Sequence, residues 1–191
     1  MTFPPVYLAS SSPRRRELLT QIGVTFTVLT VDVDEHRLDQ ESPSDYVKRV
    51  AIAKAQAGWE SLTEQDKMPV LGADTSVVMG DEVFGKPIDK QDARVMLQCL
   101  SGHHHQVMTA VAVVTGEQVL CELSTSAVTF ASMTDSEIDW YLATNEGIDK
   151  AGSYAVQGLA ALFIEQIEGS YSGIMGLPLR ETGALLKQII G

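Results

Sequence analysis

Seven consecutive residues near the start of the chain, Ser10-Ser11-Ser12-Pro13-Arg14-Arg15-Arg16, combine three hydroxyls with three guanidinium groups. They follow the apolar run Pro5 to Ala9 and lead into Glu17-Leu18-Leu19. Such a polar turn opening a helix suits phosphate, because loop and helix N-terminal amides donate to oxyanions and arginine adds planar bidentate contacts. A capped helix with a solvated basic face has the same local pattern. A second candidate is Asp74 in Leu71-Gly72-Ala73-Asp74-Thr75. Aspartate is unfavourable inside a strand, so it is expected at a strand end, facing a cleft, where it can hold a metal or take a proton from water. A turn-initiating aspartate is the plain alternative. Lys54 and Lys86, the latter in Gly85-Lys86-Pro87, could reach an anion or simply be solvated. Asp32, Asp34 and Glu35 form an acidic cluster able to offer oxygen ligands to a divalent cation, or an ordinary solvated loop. His103-His104-His105 does not read as a zinc site, since no Cys or His partner stands at the usual spacing; a polar loop before a strand accounts for it.

These groups need elements to position them. Pro5 to Ala9 reads as a short buried strand and Arg14 to Ile22, with Pro13 at the first position, as a helix that Gly23 ends. Val24 to Val33 reads as a second strand. Ser42-Pro43-Ser44-Asp45 has the form of a capping box for a helix to about Ala57, which carries Lys54. Met68 to Ala73 is an apolar strand, and Ser76 to Phe84 a hairpin turning at Gly80-Asp81. Asp89 to Leu100 is a helix. Gln106 to Val114 and Val119 to Phe130 are long strands around Gly116-Glu117. Thr134 caps a helix to Ala143, Ala161 to Ile167 is a strand, and Pro178 opens a helix to Ile189. Mixed strands and helices without strict alternation place the chain in the α/β or α+β class with a mixed sheet.

Composition narrows the function. The 191 residues fit one domain, 1–191, or two closely joined lobes. A net charge of −11 disfavours long nucleic acid as a partner, while a few converging cations could still bind a small anion. The longest apolar run, Val107 to Val114, is too short to cross a bilayer. The N-terminal stretch MTFPPVYLAS does not read as a secretion signal. Cys99 and Cys121 form no disulfide framework or metal spacing, so a reducing, cytoplasmic location is expected.

Taken in order, these pieces resemble the Maf family of nucleoside triphosphate pyrophosphatases. The likeness rests on Ser10 to Arg15, Asp34-Glu35, Lys54-Ala55, Gly72-Ala73-Asp74-Thr75, Gly85-Lys86-Pro87 and Leu100-Ser101-Gly102. It continues through Asp149-Lys150-Ala151-Gly152, Val156-Gln157-Gly158 and Gly176-Leu177-Pro178-Leu179. It implies an inosine-triphosphatase-like fold, with an elongated mixed sheet flanked by helices and a central cleft between two lobes. It also implies a homodimer and a divalent cation, magnesium or manganese. By that likeness Asp74 is the catalytic base, and Ser10, Ser12, Arg15, Lys54 and Lys86 are phosphate or catalytic contacts. Glu35, with Asp74, becomes a metal or water partner.

The family's branches differ at three positions. The 7-methyl-GTP branch has Trp, Gln and Glu where this chain has Arg14, Thr75 and Gln157, while the dTTP and UTP branch has Arg, Thr and Gln, as here. A cationic methylated purine favours an aromatic face and a carboxylate; a neutral pyrimidine offers carbonyls and one N–H, which Gln157 and Arg14 can meet. Ala155-Val156 stands where the family often has Gly-Ile. The resemblance therefore implies hydrolysis of dTTP and UTP, or of modified pyrimidine nucleotides, to the monophosphate and pyrophosphate. The competing readings are a 7-methyl-GTP pyrophosphatase, a phosphatase releasing single phosphates, and a nucleotide-binding regulator of cell division without turnover.

Overall fold

The computed structural model describes residues 2–116 and 118–189. Glu117 of the expected Gly116-Glu117 turn and Met1 of the N-terminal stretch lie outside them. One seven-stranded mixed sheet forms the frame, in the order β2-β1-β3-β5-β6-β7 with β4 hanging from β3. The strands are β1 (Val6–Leu8), β2 (Phe26–Val28), β3 (Val70–Met79), β4 (Glu82–Phe84), β5 (His104–Val114), β6 (Val119–Phe130) and β7 (Ile164–Glu168). The helices are α1 (Pro13–Gln21), α2 (Pro43–Glu60), α3 (Lys90–Leu100), α4 (Asp135–Ala143), α5 (Tyr171–Ile174) and α6 (Leu179–Gln188). β1 runs parallel to both β2 and β3; the other pairings are antiparallel.

The helix starts follow their caps. Ser42 accepts from the Asp45 amide, Asp89 from Asp92, and Thr134 with Glu137 forms a full reciprocal box. Three expectations need correction. Val24 to Val33 contains only a three-residue strand, Phe26–Val28, because β2 is an edge strand and pairs only along the three residues of β1. Ala161 to Ile167 splits into a 3-10 turn, Leu159–Phe163, and the strand Ile164–Glu168. Asp74 is not at a strand end: β3 runs unbroken through it for ten residues.

The sheet has two unlike faces. α2 lays Val47, Ala51 and Ala55 against Ala110, Ala112 and Val114 on one. On the other, α1 and α6 pack over Leu71, Ala73, Val111 and Val113, while α3 and α4 contribute to a second cluster over Val77, Val107 and Phe130. The alternation of strand side chains produces this split, since odd-numbered residues of β3 and β5 point one way and even-numbered ones the other. α1 and α2 thus leave β1 and β2 toward opposite faces, and the C-terminal end of β1 is a topological switch point, the usual place for a ligand crevice in α/β sheets.

Candidate functional site

β3 is paired with β5 from Val70 to Val78. On its other edge β1 reaches only Val70 and Leu71, and β4 pairs only with Val77 to Met79. Residues 72–76 therefore have no strand partner on that side, and a cavity of about 970 Å³ opens there. Aspartate is tolerated in this strand because its edge is free. The cavity collects five of the chain's 14 lysines and arginines, Arg14, Arg15, Lys54, Lys86 and Lys150. A chain of net charge −11 has thus concentrated cations in one cleft, which favours a small anion as occupant.

On the α2 side, Lys54 Nζ donates to Asp74 Oδ1 at 2.8 Å and lies 3.0 Å from Glu35 Oε1. Gly72 makes this approach possible. A Cβ there would come within 2.4 Å of the Ala51 carbonyl oxygen and 2.6 Å of the Ala55 nitrogen, so only glycine lets the Lys54 turn of α2 lie this close to β3. Asp74 is 7% exposed. Burial pushes its carboxyl above the ordinary carboxylate value, while Lys54 and then Arg15 pull it back. Glu35 is half-exposed, on a loop held by side chains of α2. Tyr46 Oη donates to the Glu35 carbonyl, and Arg49 donates to the Glu41 carboxylate and to the His36 carbonyl.

On the other side of β3, Arg15 makes three hydrogen bonds to neutral acceptors. Nε donates to the Gly176 carbonyl at 2.8 Å, Nη1 to Ser10 Oγ at 3.1 Å and Nη2 to Thr75 Oγ1 at 3.3 Å. Desolvation lowers its pKa, opposed by the Asp74 charge, yet a guanidinium stays protonated at any ordinary pH. Ser10 also accepts the Ser12 amide. Ser12 is the N-cap of α1 but its side chain makes no cap bond, and no acid stands in the first turn, so this helix N-terminus keeps donors for an anion.

All ten predicted site residues line the cavity: Ser10, Ser12, Arg14, Arg15, Glu35, Lys54, Asp74, Thr75, Lys86 and Gln157. They are not equally placed. Lys86 and Gln157 are exposed on loops, and Arg14 has a buried Nε without a hydrogen-bond partner among the described residues. Arg16, the third arginine of the basic run, is exposed and does not line the cleft. Glu146 was not foreseen. It accepts from Tyr141 Oη and from the Leu159 and Ala160 amides, stitching down the loop that carries Gln157. The histidine run is also more than a loop: β5 starts at His104, and buried His105 is hydrogen bonded to Tyr154 Oη at 2.8 Å.

Of the four carboxylates lining the cavity, Glu35, Asp74, Glu146 and Asp149, the first two meet at Lys54 and could hold a divalent cation together. Among the described residues no group of three or more His, Cys, Asp or Glu forms a metal cluster. Each of the two carboxylates gives one oxygen to Lys54 and retains the other. Two hard oxygen donors fit an ion whose remaining ligands come from phosphate and water, as magnesium prefers, and do not fit an enclosed all-protein site. Among the described residues no helix is long and apolar enough to cross a membrane.

Fold and cleft together define an α/β protein with an anion cradle facing a buried, lysine-paired carboxylate. The fold is similar to that of the Staphylococcus aureus Ham1 protein, with a TM-score of 0.53 at 12% identity over 98% of both chains. Residues 5–189 match the model of the Maf-like protein family, and the chain belongs to that family. A protein of Nitrosospira multiformis named dTTP/UTP pyrophosphatase is 51% identical, covering 96% of this chain and 93% of the relative. One of Shigella dysenteriae with the same name is 51% identical, covering 95% and 91%.

Proposed function

We propose that this protein hydrolyses dTTP and UTP to the nucleoside monophosphate and pyrophosphate. One observation carries the reading: the Asp74–Lys54 pair and the Arg15–Ser10 cradle, from opposite faces of the sheet, line one cavity. Relatives about half identical over nearly the whole chain and named for this activity support it.

In this reading the triphosphate lies along the Ser10–Arg15 turn. Arg15, Ser10 and the open N-terminus of α1 bind its oxygens. Asp74 orients a water and takes its proton as the water oxygen attacks the α-phosphorus; the bond to the bridging oxygen breaks and pyrophosphate leaves. A carboxyl held above its ordinary pKa is a stronger base than a surface aspartate. Arg15, Lys54 and Lys86 offset the charge on the leaving group. A magnesium or manganese ion, held by Glu35 and Asp74, would neutralise phosphate oxygens and help ionise the water. Arg14 and Gln157 face the base, with Thr75 beneath. The enzyme acts as a single unit and as a homodimer in the cytoplasm, where its free cysteines, Cys99 and Cys121, stay reduced.

The test is product chromatography with dTTP, UTP, CTP and 7-methyl-GTP in competition, with magnesium and with manganese. dTMP and UMP with pyrophosphate are expected. Release of single phosphates, or preference for 7-methyl-GTP, would overturn the assignment. Stoichiometric binding without product would point to a regulator instead.

A further inference from the structure

Among the described residues Arg15 has no hydrogen-bonded carboxylate partner, so neutral oxygens orient it, and those oxygens must themselves be fixed. Thr109 fixes one of them, Thr75 Oγ1, and ties it to the backbone just ahead of another, the Gly176 carbonyl. Its side chain is fully buried and it interrupts the apolar row Val107, Val111, Val113 on one face of β5. A hydroxyl there costs stability unless it is bonded. Thr109 Oγ1 donates to the Gly173 carbonyl at 2.8 Å and lies 3.0 Å from Thr75 Oγ1. Thr109 Oγ1 also donates to Thr75 Oγ1, so its one proton is shared between the two acceptors. Thr75 is in turn an acceptor for Arg15 Nη2. The circuit closes through α5, because Arg15 Nε donates to the Gly176 carbonyl just beyond that helix. Ser124, the cross-strand partner of Thr109, extends the polar row, and Ser126 bonds both the Ser170 amide and the Ser170 carbonyl at the start of α5. Hydroxyls dock α5 on a sheet face that is otherwise mostly apolar.

We propose that Thr109 is a positioning residue: by tying Thr75 to the α5 backbone it holds the Arg15 guanidinium in the orientation that receives the triphosphate. The identity of the anion rests on the pyrophosphatase reading; the circuit itself does not. Thr109→Val keeps the shape and removes the hydroxyl, so it separates packing from orientation.

Steady-state kinetics with dTTP on wild type, Thr109→Val, Thr109→Ser, Arg15→Lys and the Thr109→Val/Arg15→Lys double variant provides the test. Thr109→Val raises KM about five- to tenfold, the effect of one neutral hydrogen bond, with a smaller change in kcat. Thr109→Ser stays within about twofold of wild type. In the Arg15→Lys background the Thr109→Val effect shrinks to less than about twofold, since both changes act on one interaction. Unchanged KM in Thr109→Val, an equally impaired Thr109→Ser, or strict additivity in the double variant overturns the proposal. If Thr109→Val does not fold, Thr109→Ala takes its place in the same cycle. If wild type does not turn over dTTP, the pyrophosphatase reading fails separately. Tripolyphosphate affinity by calorimetry then applies the same comparison, and equal affinities for wild type and Thr109→Val overturn it.

Discussion

Asp74 and Thr75 are neighbours in β3, yet they serve two cations in opposite ways. On the α2 side Lys54 is shared by two carboxylates, at 2.8 and 3.0 Å, so its charge is spent within the protein, lowering the pKa of a buried acid. On the other side Arg15 is oriented by a carbonyl and two hydroxyls. Among the described residues its charge meets no direct ion-pair partner and is offset only at a distance by Asp74 and Glu35. In the proposed reading, the strand's alternation divides the cleft into a half that tunes a proton acceptor and a half that receives an anion. Net charge alone would not reveal this difference; the partners of each cation do.

The sharpest test of that division is Asp74→Asn. It removes the proton acceptor and keeps the cradle, so kcat falls about a thousandfold, within the range for a lost general base, while dTTP affinity measured by calorimetry changes little. Wild-type-like turnover by this variant would remove Asp74 from its role.

Next comes Arg15→Gln, which should do the reverse. KM for dTTP rises about ten- to a hundredfold, the scale of a lost charged hydrogen bond to phosphate, and the acid limb of kcat moves up by less than loss of Lys54 moves it. A fall confined to kcat would break the comparison.

Lys54→Met probes the coupling directly. Asp74 works ionised, so activity rises with pH through its pKa. Lys54 is the foremost influence holding that pKa down against burial. Without it the pKa climbs, and the acid limb of the kcat profile moves to higher pH; each unit of that shift lowers activity about tenfold on the limb. An unmoved or downward-shifted limb would show that the pair is only structural.

The smallest effect concerns stability and belongs to the face that carries Arg15. His105 is buried there, its pKa lowered from 6.5 to about 4 by desolvation. The folded state disfavours the charged ring, so the stability it contributes is fully present above 6.5 and is lost as pH falls toward about 4. Chemical denaturation of wild type should lose on the order of 1 kcal/mol per pH unit in that window from this residue, and His105→Gln should flatten the slope. Identical slopes would place the acid sensitivity elsewhere.

Much of this was legible in the sequence. Caps and proline positions predicted α1, α2, α3, α4 and α6, because a helix start is a local hydrogen-bonding problem solved by residues within a turn. The ordered motifs named every predicted cleft residue, and composition disfavoured long nucleic acid while leaving a small anion open. Other features were out of reach. Glu146 and Tyr46 act on loops 11 to 14 residues away in sequence. The acceptor of Arg15 Nε is a backbone carbonyl 161 residues distant, and any residue type supplies a carbonyl. Asp74 was expected at a strand end because local preference disfavours aspartate within strands; the free edge between β1 and β4 overrides that preference, and only strand pairing creates it. The sequence by itself determined which groups the protein owns and where its helices begin. Which face each group occupies, and whether a cation is paired or left open, was decided by the register of β3 against its neighbours, because a one-residue shift would send every side chain to the opposite side.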